Sequence, residues 1–476
     1  MADLKDFELR LKEAADKLKE IDKSETIRVV SHLDSDGICA ASILLKALNL
    51  EKRKYSLSIV QQLDEKTLSE LAQENYSYLF FTDIGSGQLD LINKHLSDKT
   101  IFILDHHDPI AEAGANITHV NPHLFGINGS TELSGAGVVY LFAEKLNPQL
   151  EEFAHIALIG AIGDIQDEHG FSELNQRIIS KAVEKGKLKV IKGLKLFGAQ
   201  TKPLHKILEY SSSPSIPGVS GSESGAIQFL RQIGIEPKEG NQWRKLVNLT
   251  PREIEKLTDG IIMRLLESDT PVNPEEIIGE IYILREEEKE SPLREAKEFS
   301  TMLNACGRMG KASIGIGACL GDPASKQNAI RVLGDYKREI VKALEWYEQN
   351  KKLSQSVIMD KGLLIINARN QIKPTIIGTL ASIISKSNNL PERTFILSMA
   401  QSDDGNTKVS MRIAGSNNSD IDLNNIVSQI TDKIGIGKGG GHSHASGAVI
   451  PSDKEEEFIS NARIVLSQLY MEEKIL

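Results

Sequence analysis

Short apolar runs alternate with amphipathic stretches along the first third of the chain. The run at residues 27–30 predicts a buried strand, and the small and apolar residues from Gly37 onward predict the helix that follows it. Residues 78–81 and 101–104 repeat the strand pattern, with a helix predicted at residues 89–96 between them. This alternation predicts an α/β fold whose N-terminal part is a doubly wound, mainly parallel sheet.

Three further stretches complete the first half of the chain. The apolar run at residues 156–162 predicts a fourth strand, which a close-packed helix starting near Ser134 precedes. Residues 172–202 are predicted to be helical, and their lysines are interpreted as a solvated face. Residues 1–23 have the spacing of an amphipathic helix and carry too much charge for a signal peptide.

The second half predicts a long helix and another α/β domain. Apolar positions at helical spacing across residues 325–352 predict the long helix, which we interpret as a linker. After it, the pattern predicts strands at residues 363–366, 395–399 and 408–412, and helices at residues 376–386 and 423–433. The sequence therefore predicts two α/β domains, of which the C-terminal one is smaller.

Acidic and imidazole side chains follow each predicted strand of the N-terminal sheet: His32, Asp34, Asp36, Asp83, Asp105, His106, His107 and Asp164. Because the carboxyl ends of parallel strands lie at one edge of a sheet, these side chains are expected to converge on one site. Crowded carboxylates repel one another unless a cation compensates them. The pattern therefore predicts a metal site, with helix capping by Asp34 or Asp36 as the simpler alternative.

Composition and charge restrict the class of protein. Hydrophobic residues make up 40% and charged residues 26%, and no apolar run reaches the roughly 18 residues that span a bilayer. We expect no membrane association and a cytoplasmic location, which the three cysteines without CxxC spacing also favour. The net charge of −10 argues against general coating of polyanions, so nucleic acid would have to bind in a local basic groove.

Two glycine-rich stretches have the composition of phosphate-binding segments. Residues 304–322 place Arg308 among glycines, which predicts either a backbone nest for an anion or a turn between helices. Residues 435–449 place Lys438 and His442 beside several glycines, where the backbone can approach a phosphate closely. The chain has no GxxxxGK[ST] motif, so binding of nucleoside triphosphates is not predicted.

These motifs, taken in order, resemble the DHH/DHHA1 phosphoesterase superfamily over about residues 25–450. The catalytic-domain pattern matches His32-Leu-Asp34-Ser-Asp36, Asp83, Asp105-His106-His107 and Asp164. The pattern of the RecJ-like exonucleases matches the 304–308 stretch NACGR, Ser410-Met-Arg412, and the 439–442 stretch GGGH with Ala445 and Gly447. The spacing is similar to that of the archaeal RecJ-like nucleases and the GINS-associated nucleases, without a segment for the OB-fold domain of bacterial RecJ.

The resemblance implies a role for each matched residue. One divalent ion would be held by His32, Asp34 and Asp164, another by Asp36 and His106, and Asp83 would bridge them. Mn²⁺ is the preferred ion and Mg²⁺ the alternative. Asp105 would orient a ligand, and His107 would face the scissile phosphate. The residues expected to bind the neighbouring phosphates are Arg308, Ser410, Arg412, Gly439, Gly440, Gly441 and His442.

The resemblance also implies a domain organisation. It consists of an N-terminal helix (1–24), a DHH catalytic domain (25–210), a helical insertion (211–324), the linker helix (325–353) and a DHHA1 substrate-binding domain (354–476). The catalytic cleft is expected between the DHH and DHHA1 domains.

The implied function is a metal-dependent exonuclease that releases 5′ mononucleotides from single-stranded DNA in the 5′→3′ direction, in replication or repair. One alternative is a phosphodiesterase for RNA, short oligonucleotides or cyclic dinucleotides. The other is a replisome scaffold that binds GINS and has incidental nuclease activity. Digestion assays and binding assays with replisome proteins distinguish these alternatives.

Overall fold

The computed structural model describes residues 3–168, 170–211, 214–266, 277–351, 355–360, 362–387, 390–415, 421–435, 439–442 and 445–473. The chain divides into two compact units, Met1–Leu333 and Gly334–Leu476. None of the helices in these described ranges is long and apolar enough to cross a membrane.

The first unit is built on a five-stranded parallel sheet with the strand order β2-β1-β3-β4-β5. Its strands are β1 (Thr26–His32), β2 (Lys54–Val60), β3 (Tyr78–Thr82), β4 (Thr100–Leu104) and β5 (Ile117–Val120). Its helices up to residue 184 are α1 (Leu4–Glu20), α2 (Ser35–Leu50), α3 (Glu65–Gln73), α4 (Leu89–His95), α5 (Gly135–Leu146), α6 (Ala154–Gly163) and α7 (Glu173–Glu184).

Helices cover both faces of this sheet because successive strand residues point to opposite sides. On one face, Phe80 stacks on Phe102 with ring centroids 4.3 Å apart, and Phe142 of α5 packs against Phe80. On the other face, Leu79 and Phe81 pack with residues of α3 and α4. The predicted doubly wound, parallel sheet is thus confirmed.

The rest of the first unit contains a smaller, mixed region. Its elements are β6 (Leu188–Leu194), α8 (Leu204–Glu209), α9 (Glu223–Gln232), β7 (Lys238–Glu239), β8 (Gln242–Trp243), α10 (Pro251–Leu266), β9 (Ile278–Leu284), α11 (Ala296–Arg308), α12 (Ala312–Cys319) and the start of α13 (Pro323–Asn350). Strands β6 and β9 pair antiparallel, as do β7 and β8. Short 3₁₀ helices lie at Ser86–Gln88, Pro122–Phe125, Pro148–Phe153 and Leu246–Asn248.

The second unit contains a six-stranded mixed sheet with the order β10-β11-β12-β13-β15-β14. After α13, its elements are β10 (Val357–Asp360), β11 (Leu363–Asn367), α14 (Pro374–Ser385), β12 (Phe395–Gln401), β13 (Asn406–Ile413), α15 (Leu423–Lys433), β14 (Gly440–His442), β15 (Ala445–Pro451) and α16 (Glu455–Glu473), with a 3₁₀ turn at Ser452–Lys454. The predicted second α/β domain and the long helix are confirmed.

Two predicted elements are wrong in type. The fourth apolar run is helix α6, not a strand, because a short continuous apolar run does not distinguish a buried helix from a buried strand. Its Gly160 lies so close to Asp36 and Ala136 that a Cβ atom would come within 2.3 Å of an Asp36 oxygen. The stretch at 172–202 is helical only as far as Glu184, and its lysine-rich part is strand β6.

In the glycine-rich stretch at 304–322, residues 309–311 form a turn between helices α11 and α12, which agrees with the second of the two predicted alternatives, a turn between helices, and not with a backbone nest. In addition, the sequence pattern did not predict strands β2, β5, β6, β9, β10 or β15.

Candidate metal centre

The candidate site begins where three neighbouring parallel strands end. Strand β1 ends at His32, β3 is followed by Asp83, and β4 is followed by Asp105 and His106. Asp83 has a φ of 58°, in the left-handed region that non-glycine residues rarely adopt, and its N–H donates to the carbonyl of Leu104 at 3.0 Å. Backbone strain of this kind concentrates at functional sites. The predicted convergence of these side chains at one edge of the sheet is confirmed.

Asp36 belongs to the first turn of α2, and its side chain contacts the N-terminus of helix α5. Its Oδ2 accepts a hydrogen bond from the Gly135 N–H at 2.6 Å and its Oδ1 accepts one from the Ala136 N–H at 3.1 Å. Ser134 caps the same helix by accepting from the Gly137 N–H. Helix N-termini stabilise negative charge, yet complete burial and the charge of Asp83 still raise the pKa of Asp36 well above its ordinary value.

His106 aims one ring nitrogen at three carboxylates. Its Nδ1 lies 2.8 Å from the Gly129 carbonyl, which can only accept, so Nδ1 carries a proton. Its Nε2 lies 3.2 Å from Asp83 Oδ1, 3.1 Å from Asp164 Oδ2 and 3.8 Å from Asp36 Oδ2. Burial alone would lower the pKa of His106, but the carboxylates of Asp164 and Asp83 raise it well above its ordinary value.

A second group of ligand atoms surrounds His32. Its Nδ1 lies 2.9 Å from Asp34 Oδ2 and 3.6 Å from Asp83 Oδ2. The other oxygen of Asp34 accepts from the Gly37 N–H at 3.0 Å and caps α2. Burial would raise the pKa of Asp34, but His32 lowers it. Capping, the simpler alternative for Asp34, is therefore present together with a ligand-like arrangement.

Asp105 is occupied by donors from the protein itself. Its Oδ1 contacts His107 Nδ1 at 2.8 Å and accepts from the His106 N–H at 2.8 Å, while Oδ2 accepts from the Ser86 N–H at 2.8 Å. Burial would raise the pKa of Asp105, but the neighbouring histidines, His107 first, lower it. Burial would lower the pKa of His107, but Asp105 raises it. An arrangement of this kind orients the His107 ring.

The residues of this edge fit divalent cations. Four buried ligand atoms have no hydrogen-bond partner: both carboxylate oxygens of Asp83, Nε2 of His106 and Nδ1 of His32. Buried polar atoms without a partner are costly, and a cation among them would supply what the protein does not. The carboxylate and imidazole donors are ligands for Mn²⁺ and, through the oxygens, for Mg²⁺.

Ligand atoms within 4.8 Å of one another form three overlapping groups. They are His32, Asp34 and Asp83; Asp36, Asp83, His106 and Asp164; and Asp83, Asp105, His106 and His107. Asp164 lies in the group with Asp36, Asp83 and His106, at the C-terminus of α6, a helix that packs beside α2 and α5. Its assignment to the same ion as His32 and Asp34, which the resemblance implies, stays a prediction.

Helix α11 supports the loop that carries Asp34. The side-chain oxygen of Asn304 accepts from the Ser35 N–H at 3.0 Å. A Cβ atom on Gly307 would lie 1.6 Å from the Leu33 carbonyl oxygen, so only glycine permits this close approach. The NACGR stretch thus contacts the candidate metal loop directly. Arg308, the last residue of α11, remains a predicted phosphate ligand.

The second unit brings its own candidate residues to neighbouring strands. Ser410 and Arg412 alternate along β13, and Gly447 of β15 pairs with both Ser410 and Gly440. Arg412 donates through Nε to Ser382 Oγ at 2.9 Å and through Nη1 to the Met411 carbonyl at 2.7 Å.

The predicted glycine loop is a hairpin of β14 and β15 in this region. Gly439 lies just before β14, and Gly441 is within it. Of the other predicted members, Lys438 and the side chain of His442 lie outside the described residues.

Several residues that position the ligands were not predicted from the sequence. They are Ser86, Gly129 and the amides of Gly135 and Ala136. A Cβ atom on Gly129 would lie 1.9 Å from the His106 carbonyl oxygen. The tripeptide Asn128-Gly129-Ser130 is a turn signal, but nothing in it indicates a contact with His106.

Three domain families match the chain. The DHH family N-terminal domain matches residues 26–161, the DHH-CID domain residues 196–278 and the DHHA1 domain residues 360–468. The uncharacterized protein MJ0831 of Methanocaldococcus jannaschii is 29% identical to the chain over 482 residues, which cover 95% of this chain and 99% of that protein.

Solved structures share the fold. CDC45 from Entamoeba histolytica aligns with a TM-score of 0.64 at 12% identity, over 97% of this chain and 99% of that chain. RecJ from Thermus thermophilus in complex with Mn²⁺ aligns with a TM-score of 0.57 at 16% identity, over 96% of this chain. The chain spans 55% of the length of that RecJ chain.

The chain therefore combines a DHH family N-terminal domain, a DHH-CID domain and a DHHA1 domain. Its fold is RecJ-like.

Proposed function

We propose that the protein is a divalent-metal-dependent exonuclease that hydrolyses single-stranded DNA in the 5′→3′ direction and releases 5′ mononucleotides. The observation that carries the proposal is the position of Asp83. Its Oδ1 faces His106 at 3.2 Å and its Oδ2 faces His32 at 3.6 Å, and neither oxygen has a hydrogen-bond partner. A carboxylate that offers one oxygen to each of two ligand groups is suited to bridging two ions.

We assign one ion to His32, Asp34 and Asp83, and the other to Asp36, Asp83, His106 and Asp164. Bound divalent ions would neutralise the phosphodiester and lower the pKa of a water nucleophile. The mixed imidazole and carboxylate donors favour Mn²⁺ over Mg²⁺. The Gly129 carbonyl fixes the proton of His106 on Nδ1, which leaves Nε2 as the ligand atom.

His107 is the residue that we place beside the scissile phosphate. Asp105 lies 2.8 Å from its Nδ1 and raises its pKa against the effect of burial, which favours the imidazolium form. The His107 side chain is 38% exposed, whereas that of His106 is 2% exposed. An exposed imidazolium beside a buried ligand set is placed to stabilise transition-state charge or to protonate the leaving oxygen.

Phosphate contacts are assigned to Arg308 in the first unit and, separately, to Ser410, Arg412 and the 439–442 backbone in the second unit. Arginine at the end of a helix and glycine amides in a hairpin are both suited to anionic oxygens. These contacts are to backbone phosphates, so binding without sequence preference is expected.

A replisome scaffold that binds GINS is the second candidate. The observation that favours it is the alignment with CDC45, which covers nearly the full length of both chains. The scaffold role alone would leave the unpartnered atoms of Asp83 and His106 without a purpose. Both roles are compatible in one protein.

Digestion of end-labelled single strands with Mn²⁺ tests the proposal. Matched DNA and RNA strands carry the label at either end, and an Asp83→Ala variant is the control. Early release of a labelled 5′ mononucleotide from DNA, absent in the variant, is expected. Cleavage confined to RNA or short oligomers would shift the substrate class, and no cleavage by protein with bound metal would favour the scaffold.

A further inference from the structure

Three aromatic side chains are exposed on one part of the first unit, within the DHH-CID domain. Phe197 is 40% exposed, Tyr210 60% and Trp243 37%. Among the large hydrophobic side chains that are exposed in the described residues, these three are the aromatic ones, and the others are aliphatic or methionine. Their concentration between residues 197 and 243 is therefore a specific feature of this surface.

Lysine ammonium groups lie over these rings. Lys202 Nζ is 4.8 Å from the centroid of Phe197 and 5.5 Å from that of Tyr210. Lys206 Nζ is 5.7 Å from the Tyr210 centroid, and Lys238 Nζ is 4.1 Å from the Trp243 centroid. Cations within about 6 Å of a ring centroid interact favourably with its π face. We call these residues the aromatic–lysine surface: Phe197, Lys202, Lys206, Tyr210, Lys238 and Trp243.

The two ends of this surface are joined by direct contacts. The ring centroids of His205 and Trp243 lie 3.9 Å apart, with the rings tilted by 39°, and His205 is buried. Glu223 lies 3.4 Å from His205 and 3.0 Å from Lys206, which in turn contacts Tyr210. Direct side-chain contacts therefore connect Trp243 with Tyr210, so the exposed rings are neighbours rather than isolated exposures.

The charge of this part of the sequence differs from that of the whole chain. Residues 195–245 contain seven Lys or Arg, four Glu and no Asp, whereas the chain as a whole has a net charge of −10. A basic segment in an acidic protein is a local electrostatic target for polyanions. Because the net charge of −10 argues against general binding of polyanions, a local basic surface of this kind is where nucleic acid would bind.

The surface is attached to the helix that supports the candidate metal loop. Glu298 of α11 accepts hydrogen bonds from the Gln200 N–H at 2.9 Å and from the Thr201 hydroxyl. Asn304 and Gly307, on the same helix, contact the loop that carries Asp34. Glu298 and Asn304 are about 9 Å apart along the helix axis, given the rise of about 1.5 Å per residue. A common helix therefore holds both regions in the first unit.

We propose that the aromatic–lysine surface binds single-stranded nucleic acid, with bases stacking on the exposed rings and lysines contacting the phosphates. This inference rests on the proposed function, because it extends the path of the strand beyond the metal centre. Rings and ammonium groups on one surface offer contacts to both the bases and the phosphates of a strand, and every base has a π face. Aromatic side chains are also enriched at protein interfaces, but the lysines over these rings and the local positive charge favour a polyanion.

Tryptophan fluorescence reports directly on this surface. The chain has two tryptophans, so a Trp346→Phe variant leaves Trp243 as the single reporter. Titration of this variant with oligo(dT) and oligo(U) of about 20 nucleotides, in EDTA so that no metal-dependent cleavage occurs, should quench the emission. Absence of quenching with both polymers would overturn the proposal, and is also the result expected if the surface docks a protein instead.

Substitutions separate stacking from charge. Tyr210→Ala and Trp243→Ala should each weaken binding of a labelled oligonucleotide about tenfold. Trp243→Phe keeps an aromatic ring at this position and should therefore bind almost as tightly as the wild-type protein. Met263→Ala, at a side chain that is 58% exposed in the same domain, is the matched control and should change nothing. Lys202→Gln and Lys238→Gln should each lower the slope of log Kd against log salt by about one, and Lys256→Gln should not.

Wild-type affinity for both aromatic-to-alanine variants would overturn the proposal. Because binding is measured without metal, a protein that binds the strand here but cleaves nothing would contradict the proposed function and leave this inference intact. Conversely, cleavage with no quenching would leave the proposed function intact.

Discussion

The candidate site residues of the first unit and those of the second unit differ in how their polar atoms are paired. In the first unit, His32, Asp83 and His106 lie at the ends of parallel strands, and buried atoms of all three make no hydrogen bond. In the second unit, Ser410 and Arg412 lie within an antiparallel strand, and Arg412 donates to Ser382 and to the Met411 carbonyl. The first region thus has buried ligand atoms that a cation would satisfy, whereas Arg412 in the second already donates to protein groups.

Removing the shared carboxylate should have the largest effect. Asp83→Asn is expected to reduce cleavage by about 10³-fold or more, because loss of the bridge removes several kcal/mol of metal-mediated stabilisation. Without metal, the same variant should unfold at a higher temperature, since its charge is among the causes that raise the pKa of Asp36. Digestion assays and thermal melts in EDTA measure the two effects.

Asp108→Asn is the matched control for this experiment, because its side chain is 86% exposed and it follows the neighbouring strand β4. Wild-type activity in Asp83→Asn would show that cleavage does not need the shared carboxylate. The difference drawn here between the two regions would then be wrong.

The support of the metal loop gives the next effect. Gly307→Ala should lower the free energy of unfolding by about 2–3 kcal/mol and weaken Mn²⁺ binding, because its Cβ would overlap the Leu33 carbonyl oxygen. Gly334→Ala is the control, since the nearest atom to its Cβ would be 3.8 Å away. Denaturant unfolding and Mn²⁺ titration test both variants. Unchanged Mn²⁺ affinity in Gly307→Ala would show that α11 does not position the loop.

Glu295 is a buried carboxyl that lies outside the ligand groups, so it tests the effect of burial separately from metal binding. It is 7% exposed, its Oε2 has no partner, and burial raises its pKa to about 8. In the unfolded chain it ionises near pH 4.5, so the free energy of unfolding should fall as pH rises from 4.5 to 8 and then level off. Each pKa unit corresponds to about 1.4 kcal/mol, which makes the total a few kcal/mol.

Glu295→Gln removes this ionisation, so its melting temperature should exceed that of the wild type at pH 9 and match it near pH 4.5. Mn²⁺ should not alter the difference, because Glu295 is not in any of the three ligand groups. The exposed Glu288→Gln variant is the control. Parallel curves of melting temperature against pH for Glu295→Gln and wild type would contradict the assignment.

The smallest effect is expected in the second unit. Arg412→Ala should weaken binding of single strands about fivefold and reduce the salt slope by about one, because one phosphate contact is lost. Anisotropy titrations at several salt concentrations measure both quantities. Lys454→Ala, at a side chain of the same unit that is 41% exposed, should leave the slope unchanged. An unchanged slope in Arg412→Ala would show that this arginine makes hydrogen bonds within the protein and does not contact a phosphate.

The same comparison explains what the sequence predicts well. Ligand residues in the first unit follow strand ends directly, so local pattern and the geometry of parallel sheets place His32, Asp83 and Asp105 together. Strand β5 and strand β2 were missed because neither has the strong apolar run of β3, and β2 has no buried residue. Local signals are therefore sufficient only where the residue follows its own strand.

Contacts between distant segments are the part that the sequence does not predict. The position of Asp164 beside Asp36 and His106 depends on α6 being a helix, which a continuous apolar run does not predict. The contact of Gly129 with His106 and that of Gly307 with Leu33 join residues that are far apart in the chain. In the second unit, the alignment of Ser410 with Gly447 depends on strand register, which a glycine-rich segment specifies weakly.

The most direct test of the shared ligand is electron paramagnetic resonance of the Mn²⁺-loaded protein, with the metal content measured on the same sample. We predict two Mn²⁺ per chain with a spectrum that shows magnetic coupling between them, and loss of that coupling in Asp83→Asn. A single ion per chain, or two uncoupled ions in the wild-type protein, would contradict the claim that Asp83 joins two metal sites.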